Sequence, residues 1–96
     1  MSRVYISGAV SNMPYNEALA KFKEAEDFLY SRGDNPVNPT KHCDVSWTWD
    51  ECMKKVIPLL LECDKIYMLK GWKQSRGAKL EHFIALKLGI RIENQR

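Results

Sequence analysis

Ninety-six residues, 45% of them apolar and 28% charged, predict one small globular domain over residues 1–96 and exclude a disordered chain. Fifteen Lys and Arg against twelve Asp and Glu leave a net charge of +3, spread along the chain without a basic cluster. That balance suits a small anionic ligand and argues against nucleic acid as a partner, which needs a concentrated basic footprint.

The opening "MSRVYISGAV" runs straight into a strand-like segment, so no signal peptide is expected. No apolar stretch approaches the length of a membrane span, and a cytoplasmic protein without a membrane partner is the resulting expectation. Cys43, Cys52 and Cys63 are odd in number and lack CxxC spacing, which predicts reduced thiols. A zinc site built from these and His42 is disfavoured because closely spaced ligand pairs are missing. No metal and no cofactor are expected.

Val4-Tyr5-Ile6, ending in Ser7-Gly8, predicts a buried strand that meets a turn. Pro14 stands where a first helical position tolerates it. Tyr15, Leu19, Phe22, Ala25 and Leu29 then recur at helical spacing until Gly33 closes the helix. "DNPVNP", residues 34–39, makes a poor strand that belongs at a sheet edge, because Pro36 has no N–H for a ladder. Apolar positions 49, 52, 53, 56, 57 and 60 mark a second helix, which Pro58 should kink or divide. "KIYMLKG" predicts a central third strand. A third helix follows the loop "KGWKQS" and runs to about Leu88, where Gly89 ends it, and "IRIE" alternates as a half-exposed fourth strand.

Strands separated by helices require parallel pairing with right-handed crossovers. The weak second and fourth strands fit the edges and the apolar first and third the centre, predicting an α/β domain with sheet order 2-1-3-4. Ligands bind such sheets beyond the carboxyl ends of the central strands, which brings Ser7-Gly8 beside the loop from Lys70 to Gly77. Ser75 as N-cap would satisfy one first-turn N–H, leaving the others to bind an anion, with Gly77 letting a phosphate approach the backbone. Gly77 and Glu81 are four residues apart and share a helix face. The glycine would leave room above the carboxylate for a sugar. The plainer reading is a surface Glu81 paired with Lys79 or Arg76. Tyr5 can reach the same place or serve as core. Trp47, Trp49 and Trp72 can stack a base, with Trp72 the better placed and Trp49 assigned to packing on its helix face. His82 points about 100° away from Glu81 and reads as a surface or satisfied histidine.

The segments "VYISGAV", "NPVNP", "LLECDKIYMLKGW" and "SRGAKLEHFIALKLGI", in this order, resemble the nucleoside 2-deoxyribosyltransferase-like family, especially its small members of unassigned function. The resemblance covers nearly the whole chain. It implies a flavodoxin-like three-layer sandwich with helices on both faces of the sheet. It also implies cleavage of the N-glycosidic bond of a (deoxy)nucleoside 5′-monophosphate, by hydrolysis or deoxyribosyl transfer, through a covalent glycosyl-enzyme. On this chain the nucleophile falls on Glu81 and its orienting tyrosine on Tyr5. Substrate contacts fall on Ser7, Gly8, Trp72, Ser75, Arg76 and Gly77, the phosphate-binding serine being Ser75. A small-molecule nucleoside or nucleotide is the implied partner, and two weak sheet edges fit a homo-oligomer. Three departures stand out. Val56 occupies the position of the family's second acid, with Asp50 and Glu51 more than a turn away, Ala9 stands in place of the usual proline of the first-strand motif, and the chain stops after the fourth strand. A nucleotide-binding or sensor domain that has lost the chemistry is the alternative reading.

Overall fold

The computed structural model describes residues 2–10 and 13–96. Its strands are β1 (Arg3–Ser7), β2 (Asn35–Val37), β3 (Lys65–Met68) and β4 (Arg91–Asn94), and its helices are α1 (Tyr15–Ser31), α2 (Trp49–Leu61) and α3 (Arg76–Leu88). Two single 3₁₀ turns, Pro39–Lys41 and Trp72–Gln74, were not anticipated by periodicity, being too short to show one. All three strand pairings are parallel, and the sheet order is β2-β1-β3-β4. The architecture is the flavodoxin-like three-layer sandwich.

Strand alternation sorts the core into two halves. Val4, Ile6, Tyr67 and Leu69 face α1 and pack on Phe22, Ala25 and Leu29. Tyr5, Ile66 and Met68 face the opposite way and pack beneath Val56 and Leu60 of α2 and Ala78 and Ala85 of α3. Each large apolar side chain buried in these layers stabilises the fold by about 1.5–3 kcal/mol. Pro36 pairs with Val4 in the two-sided register of β1, and its missing N–H is harmless because β2 is an edge.

Pro58 neither ends nor divides α2, which runs unbroken from Trp49 to Leu61. A proline removes the bond to the carbonyl four residues back. Here that carbonyl belongs to exposed Lys54, and Pro58 is itself exposed, so the freed carbonyl lies on the solvent side of the helix. The start of α2 is fixed by a capping box. Thr48 Oγ1 accepts from the Glu51 N–H at 3.2 Å, and Glu51 Oε1 accepts from the Thr48 N–H at 2.9 Å. Glu51 is thereby committed to the cap.

The cysteine expectation is corrected. Cys43 and Cys52 form a disulfide that ties the loop before α2 to the helix itself. They are nine positions apart, but the chain reverses through the loop after Lys41 and brings their Cα atoms to 5.4 Å. Only Cys63 of the three is a free thiol, and burial pushes its pKa up to about 11. The loop after β2 is held from below by buried Glu26, which accepts from Asn38 Nδ2 at 3.0 Å and Lys41 Nζ at 2.6 Å. On the outside of α3, Leu80, Phe83, Leu86 and Leu88 remain exposed. No described helix is long and apolar enough to cross a membrane.

Candidate active site

The third helix begins where the sheet's carboxyl edge opens. Ser75 is its N-cap, and its Oγ accepts from the Ala78 N–H at 3.2 Å while its carbonyl accepts from the Lys79 N–H. These bonds leave the N–H groups of Arg76 and Gly77, at the positive end of the helix dipole, for a ligand. One turn further on, Glu81 points inward and is 6% exposed.

Glu81 meets neither Lys79 nor Arg76. Its Oε2 accepts from the Tyr5 hydroxyl at 2.5 Å and its Oε1 from Ser7 Oγ at 2.6 Å. Both donors come from successive same-face positions of β1, so the central strand itself aims the carboxylate. Burial raises the Glu81 pKa to about 7, and the bonds from Ser7 and Tyr5 pull against that rise without cancelling it. Tyr5 is pushed well above its ordinary value, first by its own burial and then by the neighbouring Glu81 charge.

Glu81 and Tyr5 lie at the wall of a cavity of about 680 Å³ between the α2–α3 face and the loops above the sheet. This volume is within the ordinary range for a small-molecule site. Ser75, Arg76 and Gly77 form one side, and Tyr15, Trp47 and Trp49 supply aromatic surface. The Arg76 guanidinium lies 3.7 Å from the centre of the Trp49 ring, a stacked arrangement that orders both side chains. The Cys43–Cys52 disulfide and Asp44 line the same cavity. Asp44 is held below the usual carboxylate range by the backbone N–H and then the hydroxyl of Ser46, which bond Oδ1 at 2.9 and 2.7 Å.

Several expected roles change once side-chain directions are known. Trp72 does not line the cavity. It stacks on His82 at 4.3 Å between ring centres and packs against the core, which also accounts for the histidine. Trp49, expected to serve packing, is 37% exposed and faces the cavity instead. Ser7 is 1% exposed, bonds Glu81 and is not among the residues lining the cavity. The glycines also have structural reasons. A Cβ on Gly8 would stand 2.9 Å from Leu69 Cβ, so close packing of the β1 and β3 ends demands it. A Cβ on Gly77 would come within 3.3 Å of Met53 Sδ and Trp49 Nε1, so this glycine admits α2 as well as lining the cavity. Asp44 escaped sequence reasoning because nothing in its neighbourhood carries a periodic signal. The apolar spacing of Trp49 does not say how far along α2 the core ends, and the first turn lies beyond it.

Val56 is 1% exposed at the cavity wall, and Asp50 and Glu51 are not among the lining residues. Among the described residues, no group of three His, Cys, Asp or Glu side chains is placed to hold a metal ion. A family model described as a domain of unknown function (DUF4406) matches residues 2–94. No curated protein matches the chain.

Proposed function

From the premise that the chain belongs to the DUF4406 family, we propose that it cleaves the N-glycosidic bond of a nucleoside 5′-monophosphate, with Glu81 as nucleophile. The observation that carries this reading is the buried Glu81 carboxylate, held by Tyr5 and Ser7 at the wall of a nucleotide-sized cavity beside the N-terminus of α3. The phosphate sits at Ser75, Arg76 and Gly77, where N–H groups and one guanidinium converge. The sugar then runs along the Gly77–Glu81 face, and the base lies among Trp47, Trp49 and Tyr15. Glu81 attacks C1′ in its ionised form, which its raised pKa makes available as pH rises through about 7. Hydrolysis is preferred to transfer, since a phosphate anchor fits a nucleotide hydrolase and a second base is not required.

The resemblance to the nucleoside 2-deoxyribosyltransferase-like family supports this proposal through Glu81, Tyr5, Ser75, Arg76 and Gly77. A cytoplasmic setting and a homo-oligomer, with the exposed α3 face as contact, belong to it as well. The Cys43–Cys52 disulfide is the observation against a reducing compartment.

The test is base release from ribo- and deoxyribonucleoside 5′-monophosphates at high enzyme concentration, beside Glu81→Ala. Release that vanishes in the variant supports the reading. Release that survives it removes Glu81 as nucleophile. The second reading, a nucleotide-binding domain without turnover, is favoured by apolar Val56 at the cavity wall. Tight binding of a nucleotide with no base release would select it.

A further inference from the structure

Cleaving an N-glycosidic bond with a nucleophile at C1′ leaves the bonding electron pair on the base. A neutral purine or pyrimidine must then be protonated as it departs, and losing a general acid for that step costs roughly 10²–10⁴ in rate. Among the described residues that line the cavity, the carboxyl groups are Glu81 and Asp44 alone. Glu81 is used as nucleophile. Asp44 is anchored as an anion by two donors from Ser46, so it holds no proton to give. The Thr40 hydroxyl is spent on Asn38 Oδ1 at 2.6 Å. Alcohols and phenols are in any case far weaker acids than a carboxylic acid.

The same wall is built to receive positive charge. Tyr15 and Trp47 are each 39% exposed and line the cavity together with anionic Asp44, while the Trp49 face is already taken by Arg76. Aromatic faces beside a fixed carboxylate are the ordinary surroundings of a bound organic cation. Arg76 is the one cationic side chain among the described lining residues, and it stands beside the first turn of α3. Arg76 offers positive charge at the start of α3, and Asp44 offers negative charge one turn of chain from Trp47, whose N–H bonds the Asp44 carbonyl.

Resting on the glycosidase reading above, we propose that the substrates are nucleoside 5′-monophosphates whose base carries a ring positive charge, such as an N-substituted pyridinium or an N7-alkylated purine. For these the proton problem disappears. A Glu81 oxygen bonds to C1′ as the C1′–N bond breaks, and the released pair cancels the ring charge, so the base leaves neutral. Water then attacks C1′, the ester bond to Glu81 breaks with its pair returning to the carboxylate, and the surplus proton passes to solvent. The sugar 5-phosphate is the second product. Asp44 stabilises the bound cation and takes no proton.

The experiment measures kcat/KM for nicotinamide mononucleotide and 7-methylguanosine 5′-monophosphate against AMP and GMP, with wild type, Glu81→Gln and Asp44→Asn. The cationic substrates are expected to exceed the neutral ones by at least about 10²-fold. Their cleavage should be lost in Glu81→Gln, and Asp44→Asn should raise their KM about tenfold with kcat within about twofold. Cleavage of AMP or GMP within tenfold of the cationic pair, still dependent on Glu81, would leave the glycosidase standing and overturn the cation preference. An unchanged KM in a folded Asp44→Asn variant would also overturn it. Absence of release from all four, or release that survives Glu81→Gln, would remove both.

Discussion

Two glutamates near the carboxyl edge of one sheet, Glu81 and Glu93, have opposite fates. Glu93 lies on β4, on the α1 side, where Arg32 donates two bonds at 2.9 and 2.5 Å and Lys65 a third at 3.3 Å. These bonds, from Arg32 above all, hold its pKa down at about 2. Arg32 is further seated by Asp34 at 2.6 Å and lies over the Phe28 and Tyr67 rings at 5.2 and 5.9 Å. Glu81, on the other face, receives two neutral hydroxyls and no cation, and burial raises its pKa to about 7. A carboxylate with cations stabilises a fold, whereas one supplied with neutral donors in a dry wall costs stability and remains reactive. The contrast separates an ion-paired carboxylate from one bonded by neutral hydroxyls within a single small sheet.

The largest effect expected from breaking this contrast is on stability. A native pKa raised from its unfolded value near 4.5 means that the folded chain binds more protons between those two pH values. Glu81 therefore costs progressively more as pH climbs through that window, reaching about 3 kcal/mol above pH 7. Glu81→Gln should raise stability in urea by up to about 3 kcal/mol at pH 8, with the gain shrinking towards pH 4.5. An equal gain at both pH values would show that the carboxyl is not strained by burial.

Next in size is the donor on the pocket carboxylate. Tyr5→Phe removes a bond that favours the ionised form, so the rising limb of activity should move to higher pH, with kcat lower by roughly tenfold at pH 7. A unit loss of kcat with no movement of the limb would assign Tyr5 to packing alone. On the opposite face, Arg32→Met should cost about 1 kcal/mol at pH 7, since the pair is partly exposed. With the Glu93 pKa depressed, its contribution is present above the unfolded value near 4.5 and is lost as pH falls through about 2. The variant and wild type should therefore converge in acid. The smallest change is Gly77→Ala, where Met53 and Trp49 must yield a few tenths of an ångström. Stability should stay within about 1 kcal/mol, while KM rises roughly threefold because Trp49 shifts.

Much of the architecture was legible because its causes are local. Helical and strand periods, the capping serine at 75, Gly89 after α3 and the donor-less Pro36 are each written within a few residues, and together they impose the parallel order. The four-residue step from Gly77 to Glu81 likewise placed glycine and carboxylate on one helix face without any tertiary knowledge. Trp72 turns to His82 and Trp49 to the cavity because a ring's direction depends on what packs behind it, and the neighbours that decide it, His82 for one and Arg76 for the other, are ten or more residues away. The disulfide was invisible for a similar reason: its two cysteines meet only after the loop has turned back over α2.

The sequence by itself determined the elements, the sheet order and the candidate carboxylate, since backbone hydrogen bonding and amphipathic spacing act over one or two turns. The tertiary structure alone decided that Tyr5 and Ser7 converge on Glu81 across 76 and 74 residues of chain. It also decided that no cation follows them there among the described residues. Desolvation and long-range donors set a carboxylate's charge, and both exist only once the strands and helices have closed around it.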